Sequence, residues 1–348
     1  MTAYWLERAW TGAGPVLDGL RVDIEDGVFT SVAPGPPEGA TRLAGLTVPG
    51  LANCHSHAFH RALRGRTQRE RGTFWTWREQ MYAVASRLTP DAYFELARAT
   101  YREMVSVGIT SVGEFHYLHH DPDGEPYDDP NAMGQALLEA ARQAGVRIAL
   151  LDTCYLASGI GSPPEGVQAR FTDGDAEAWA VRVEELRTDH PDIRVGAAIH
   201  SVRAVPRDQM PHLVAWAAHH EAPLHVHLSE QVAENDACLA AYGATPTEVL
   251  ADVGALGPRT SVVHATHLGD HDVELLGSSG THTCFCPTTE RDLGDGIGAS
   301  RMLYDAGATL TLGSDSHAVV DLFEEMRAWR WTSGSPPRSA ATGRPPSC

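Results

Sequence analysis

The chain has 348 residues, 43% of them apolar and 21% charged, a balance that suits a soluble globular protein with a sizeable core. A formal charge of −18 argues against a nucleic-acid partner, and no apolar run approaches the roughly 18 residues that span a bilayer. Every basic side chain is arginine, so Schiff-base lysine chemistry and a P-loop lysine are excluded.

The opening "MTAYWLERAWTG" has no basic segment leading into an apolar one. No signal peptide is expected, and a cytoplasmic location is the default. The six cysteines form no CxxC pair, which removes zinc ribbons and thioredoxin-like motifs. "CFC" (284–286) reads as two strand cysteines facing one side.

Residues 1–48 alternate with period two between Gly and Pro punctuation. They predict a small β module, an incomplete β-sandwich too short to close alone. From residue 49 the texture changes. "TPDAYFELARATYREMVSVG" reads as a helix with Pro90 near its start and Gly108 past its end. The strand "ITSVGEFHYLHH" follows. Helices at "NAMGQALLEAARQAG", "DAEAWAVRVEELRTDH" and "RDQMPHLVAWAAHHE" lead to strands "VRIALLDTCYL", "IRVGAAIHSV" and "APLHVHLSE". Then come "TSVVHATH", "GTHTCFCPTTE" and "ATLTLGSDSH". Near-continuous apolar strands alternating with helices indicate a parallel sheet. Seven or eight such units over 49–327 fit an α/β fold of the (β/α)8 TIM-barrel type. A doubly wound sheet is the alternative, disfavoured because no GxGxxG opens the first βα turn. "RGRTQRER" (64–71) reads as a solvated basic loop.

Nearly every predicted strand ends in chemically capable residues: His55 and His57, Glu114 and His116, His200, His225 and His227, His264, Asp315. Barrel active sites lie at that end of the strands. "CHSH" places His55 and His57 at i, i+2, on one side of a strand and able to share a metal ion. "HVHLSE" repeats the spacing at His225 and His227, with Glu230 three residues on. His264 and Asp315 close later strands. His225 reads as structural. The ordered set is far more specific than any single pair.

On these residues the chain resembles the amidohydrolase superfamily, in its metal-dependent deaminase branch. "VPGLANCHSH" matches the opening motif and "GSDSH" the closing one. The resemblance implies one Zn2+ held by His55, His57, His227 and Asp315; the ligand types also admit Fe2+ or Mn2+. It implies that Glu230 shuttles a proton from the attacking water to the leaving nitrogen, and that His264 and Asp315 deprotonate and hold that water. "FWTWREQM" (74–81), "EFHYLHH" (114–120), "IHSVRAVP" (199–206) and "FCPTTERDLGDGIG" (285–298) resemble the formimidoylglutamate deiminase family. That implies hydrolysis of N-formimino-L-glutamate to N-formyl-L-glutamate and ammonia in histidine degradation, and a homodimer.

The implied substrate is a small dicarboxylate, and bidentate arginine suits carboxylates best. By motif, Arg78 and Arg203 are the carboxylate anchors, with Trp75 and Trp77 walling the pocket. Tyr117 and His200 contact the substrate. His60 takes a substrate-facing position where the family carries glutamine. An imidazole can make one of the amide's hydrogen bonds but not present both its groups.

Residues 318–327 look like the start of a helix. Residues 328–348 are rich in Ser, Pro, Gly and Arg, with no helix or strand pattern expected. The family continues with strands that complete the β module, so a frameshift or truncation near residue 327 is expected. Two other functions stay open: a zinc aminohydrolase acting on a purine or another heterocyclic amine, and a truncated, inactive homologue.

Overall fold

The computed structural model describes residues 2–67, 73–186 and 188–333, the last three by backbone alone. The second half of "RGRTQRER" and the tail beyond residue 333 lie outside these residues. Two compact units divide between Leu51 and Ala52.

The first unit holds β1 (Thr2–Ala9), β2 (Leu17–Glu25), β3 (Val28–Pro34) and β4 (Thr41–Thr47) in one sheet of order β3-β2-β1-β4. Strands β1 to β3 form an antiparallel meander, and β4 lies parallel to β1. The β2–β3 turn uses Asp26 and Gly27, both at positive φ, the backbone that a two-residue hairpin with the native strand twist requires. Leu6, Ala9, Leu20 and Val22 bury one face. Among the described residues this unit is a single four-stranded sheet, one layer of the incomplete sandwich expected here.

The second unit is an eight-stranded sheet running in chain order. Its strands are β5 (Leu51–Ser56), β6 (Ile109–His116), β7 (Arg147–Cys154), β8 (Ile193–Ile199), β9 (Leu224–Leu228), β10 (Thr260–His264), β11 (His282–Phe285) and β12 (Thr309–Leu312). Adjacent pairs from β6 to β12 are parallel. The seam is joined just past β12. There Ser314 N–H and Asp315 N–H both donate to the His55 carbonyl at 3.1 Å. The result is a nearly closed (β/α)8 barrel.

The helices between strands are α1 (Phe74–Ala85), α2 (Pro90–Ser106), α3 (Ala132–Ala144), α4 (Ala176–Glu184), α5 (Met210–His219), α6 (Val232–Tyr242), α7 (Pro246–Asp252), α8 (Asp270–Ser279), α9 (Pro287–Leu293), α10 (Ser300–Asp305) and α11 (Leu322–Ser333). Their ends follow local chemistry. Thr89 caps α2 ahead of Pro90, and Asp175 caps α4 through Ala178 N–H. Strand β11 stops at Phe285 because Pro287 starts α9, so the strand expected through residue 290 is shorter. Helix α11 runs to Ser333, so the structureless segment expected from residue 328 begins inside a helix.

Two glycines let the strands close tightly around β5. A Cβ on Gly113 would sit 2.7 Å from the Cys54 carbonyl oxygen, and one on Gly313 would sit 2.7 Å from His55 Cβ. The glycine of "GSDSH" is therefore a packing requirement of the strand that carries the first histidines.

Candidate active site

His55 and His57 flank Ser56 at the end of β5, His227 ends β9 and Asp315 follows β12. Their polar atoms converge. His55 Nε2 and His227 Nε2 are 3.1 Å apart, and Asp315 Oδ1 lies 3.3 Å from His57 Nε2 and 3.5 Å from His55 Nε2. Zinc–nitrogen bonds of about 2.1 Å in a tetrahedron place ligand atoms about 3.4 Å apart, so these gaps match a shared cation. The outer ring nitrogens are already committed. His57 Nδ1–H donates to the Phe115 carbonyl and His227 Nδ1–H to the His200 carbonyl, both at 2.9 Å. A carbonyl can only accept, so both rings turn an Nε2 lone pair inward. Burial drives His55, His57 and His227 toward the neutral form that binds metal. The donor set thus fits a divalent cation.

Asp315 has a second face. Its Oδ2 lies 3.9 Å from His264 Nε2, which is also 3.9 Å from Glu230 Oε1. His264 Nδ1 meets Glu290 Oε1 at 3.4 Å, and the same oxygen accepts from Cys286 N–H at 2.8 Å. Burial opposes charging of His264, but the Glu230, Glu290 and Asp315 carboxylates win and hold its pKa well above the usual histidine value. Burial raises the Glu230 carboxyl. Ser229, His264 and Asp315 adopt left-handed φ of 48°, 72° and 40°. Such backbone costs about 1–3 kcal/mol per residue and marks strand ends bent to aim side chains.

Behind the convergence runs a fully buried polar network. Ser56 Oγ donates to Glu114 Oε2 at 2.6 Å, and Ala58 N–H donates to Glu114 Oε1. His317 Nε2 meets Ser56 Oγ at 3.0 Å, and its Nδ1 meets Ser314 Oγ at 3.2 Å. Asn53 bonds Ser314 through both its side-chain groups. Burial lifts Glu114 to about 8. This network grips the backbone on both sides of the barrel seam and so orients the His55–His57 strand against Asp315.

The pocket over these atoms is lined by His60, Arg78, Tyr117, His200 and Arg203, together with His57, His227, Glu230, His264 and Asp315. The expected site residues are therefore brought together, His55 lying beneath them. His60 Nε2 pairs with Tyr117 OH at 2.9 Å, and burial depresses its pKa to about 3. Arg78 stacks 4.7 Å over Trp75 and Arg203 lies 5.9 Å from the Phe74 ring. Among the described residues neither guanidinium has a carboxylate within ion-pair distance, although the Arg203 charge acts on the Glu230 and Glu234 carboxyls and opposes the rise that burial gives them.

Not every expected feature belongs to the mouth. Trp77 lines the pocket, but Trp75 is 45% exposed outside it. Glu114 lies under the site. His116 joins His119 and Asp152 in a separate buried group, where Arg182 holds Asp152 at 2.8 Å. His225 stacks 5.6 Å from His55 and stands outside the converging donors. Cys284 and Cys286 pack with Val263 and Cys54, as core residues. The sequence reading missed Glu290, although it lies in "CPTTE". It also missed Tyr82, Tyr155 and Gln168, which sit on three separate segments.

The amidohydrolase family model matches residues 46–333. The chain is 38% identical over 336 residues to formimidoylglutamate deiminase of Pseudomonas aeruginosa, across 94% of this chain and 73% of that protein. An 8-oxoguanine deaminase of the same organism is 30% identical across 79% of this chain and 61% of its own length. The crystal structure of an amidohydrolase from Brucella melitensis matches with a TM-score of 0.90 at 33% identity, across 99% of this chain and 77% of that one. A zinc-bound adenosine deaminase from Xanthomonas campestris shares the fold, with a TM-score of 0.78 at 20% identity across 98% and 74% of the two chains. With the barrel, the converging histidines and these matches together, the chain belongs to the amidohydrolase family, on the branch that holds formimidoylglutamate deiminase.

Proposed function

We propose that the chain hydrolyses N-formimino-L-glutamate to N-formyl-L-glutamate and ammonia, with Zn2+ held by His55, His57, His227 and Asp315. The observation that carries this reading is the pair Arg78 and Arg203. Two guanidiniums, neither in an ion pair among the described residues, line the same pocket as the converging donors. A half-buried guanidinium without an ion-pair partner is partly desolvated, and a dicarboxylate offers each of the two a bidentate anion. A purine would leave both unmatched, which disfavours a ring deaminase despite the similarity to an 8-oxoguanine deaminase. Histidine degradation, a cytoplasmic setting and a homodimer belong to the same proposal through the motif resemblance. No helix of the described residues is long and apolar enough to cross a membrane.

When bound, the metal ion makes water acidic enough to serve as a nucleophile near neutral pH. Asp315 and His264 hold that water, one through Oδ2 and the other through Nε2. Glu290 fixes the His264 ring from behind. Water oxygen adds to the formimino carbon, and its proton passes to Glu230. Glu230 delivers that proton to the formimino nitrogen, Asp315 takes the remaining hydroxyl proton as the carbonyl forms, and with that second proton passed on to the same nitrogen the C–N bond breaks and ammonia departs. A carboxyl raised by burial suits this alternation between base and acid. Tyr117, His60 and His200 position the formimino end, while Arg78 and Arg203 take the carboxylates.

The experiment is ammonia release from N-formimino-L-glutamate by zinc-loaded protein, beside protein stripped by a chelator. Release that depends on metal supports the reading. Metal-loaded, monodisperse protein without turnover defeats it.

A further inference from the structure

Gln168 joins two pocket tyrosines that no role has yet been given. Its Nε2 donates to Tyr82 OH and to Tyr155 OH, both at 2.9 Å. The amide cannot be turned the other way. Gln168 Oε1 accepts from Glu165 N–H at 2.8 Å, and a backbone N–H needs an oxygen. An NH2 group cannot accept, so each phenol oxygen is the acceptor of its bond with Gln168. Each phenol therefore keeps its own O–H proton to donate elsewhere. Tyr82 and Tyr155 both line the pocket that holds Arg78 and Arg203. The two phenols also bond to each other, and whichever donates in that bond, the other O–H remains for the pocket.

The surroundings match a donor role. Gln168 and Tyr155 are buried, 4% and 6% exposed. Tyr155 stacks edge-on against His200 at 4.6 Å and Phe171 at 5.4 Å, which fixes its ring. The Arg78 guanidinium lies 5.5 Å from the Tyr82 ring centre. Burial holds the Tyr155 phenol above its ordinary pKa, so it stays protonated at neutral pH. A guanidinium beside oriented O–H donors is a carboxylate site rather than a site for an uncharged ring.

We propose that the Tyr82–Tyr155 pair, oriented by Gln168, donates a hydrogen bond to one carboxylate of a dicarboxylate ligand. The pair would determine specificity beyond the charge supplied by the two arginines, with Gln168 as a positioning residue. This deepens the function proposed above and rests on its dicarboxylate reading.

The test uses zinc-loaded full-length protein, with glutarate as a dianion probe and acetohydroxamate as a probe of the metal. Calorimetry gives both affinities, and steady-state kinetics gives KM and kcat for N-formimino-L-glutamate. Removing a hydrogen bond to a charged group is expected to weaken glutarate about 10- to 100-fold in the double variant Tyr82→Phe/Tyr155→Phe. KM rises in step, while kcat and acetohydroxamate affinity hold. Gln168→Leu should move the same quantities in the same direction. If that variant does not fold, the phenylalanine variants decide alone. Unchanged glutarate binding in the double variant would overturn the proposal. An equal loss for both probes would also overturn it, since that is the result of a purely structural role. Glutarate binding needs no turnover, so failure of ammonia release is read separately.

Discussion

The two halves of the pocket are built on opposite plans. The donor half is buried and over-determined. His57 and His227 each have the outer nitrogen tied to a backbone carbonyl, and Asp315 splits its oxygens between the histidine pair and His264. The arginine half is half-buried, and its cations lie against aromatic rings with no ion pair among the described residues. One half is fixed by bonds within the protein. The other offers two guanidiniums that no ion pair holds. Chemistry needs rigid geometry, whereas charge recognition needs an unmet demand that the correct substrate fills.

Substitutions should separate the halves. The largest effect is expected for Glu230→Gln. Loss of a positioned acid–base group costs about 10²–10⁴-fold in rate, so kcat collapses while zinc content by elemental analysis stays unchanged. Undiminished kcat would remove Glu230 from proton transfer. Next is Arg203→Ala, and Arg78→Ala after it. Losing a charged hydrogen-bond partner is expected to raise KM about 10- to 100-fold with kcat nearly kept. A fall in metal content instead would show that the halves are not independent.

Ser56→Ala probes the support beneath the donor half. Outer partners of metal ligands typically affect affinity by about 10- to 100-fold, and loss near the lower end is expected here by chelator competition. Equal affinity would reduce the Glu114–Ser56–His317 network to packing. The last test leaves the pocket and concerns stability. Burial lifts Glu325, which accepts from Thr288 N–H and Oγ1–H, to about 8 from an ordinary value of 4.5. A raised carboxyl favours the fold while protonated. Its contribution is complete below about pH 4.5 and is lost as pH climbs to about 8, at about 1.4 kcal/mol per pH unit. Denaturant midpoints of metal-free Glu325→Gln should therefore fall less between pH 5.5 and 8 than those of the unaltered chain. Parallel curves would contradict this.

The parts legible in the sequence are those where local pattern and chemistry coincide. Apolar β7 and β9 announce themselves, and helix α2 carries its own cap, Thr89–Pro90. His55 and His57 are readable because a strand's period of two puts both on one side. Helices α7 and α10 have 7 and 6 residues, too short to show a period, and α6 buries few side chains. Gln168, Tyr82 and Tyr155 are legible only in three dimensions, since segments far apart in the chain build that wall. His225 shares the spacing of the metal pair, yet only the fold shows that it stacks behind His55 rather than beside it.

The central claim is that unpaired arginines beside a metal centre select a dicarboxylate imine. The most direct test compares kcat/KM of the zinc-loaded protein for N-formimino-L-glutamate and for 8-oxoguanine. The account expects ammonia release from the first at an enzymatic rate and none measurable from the second. Faster turnover of 8-oxoguanine would contradict it.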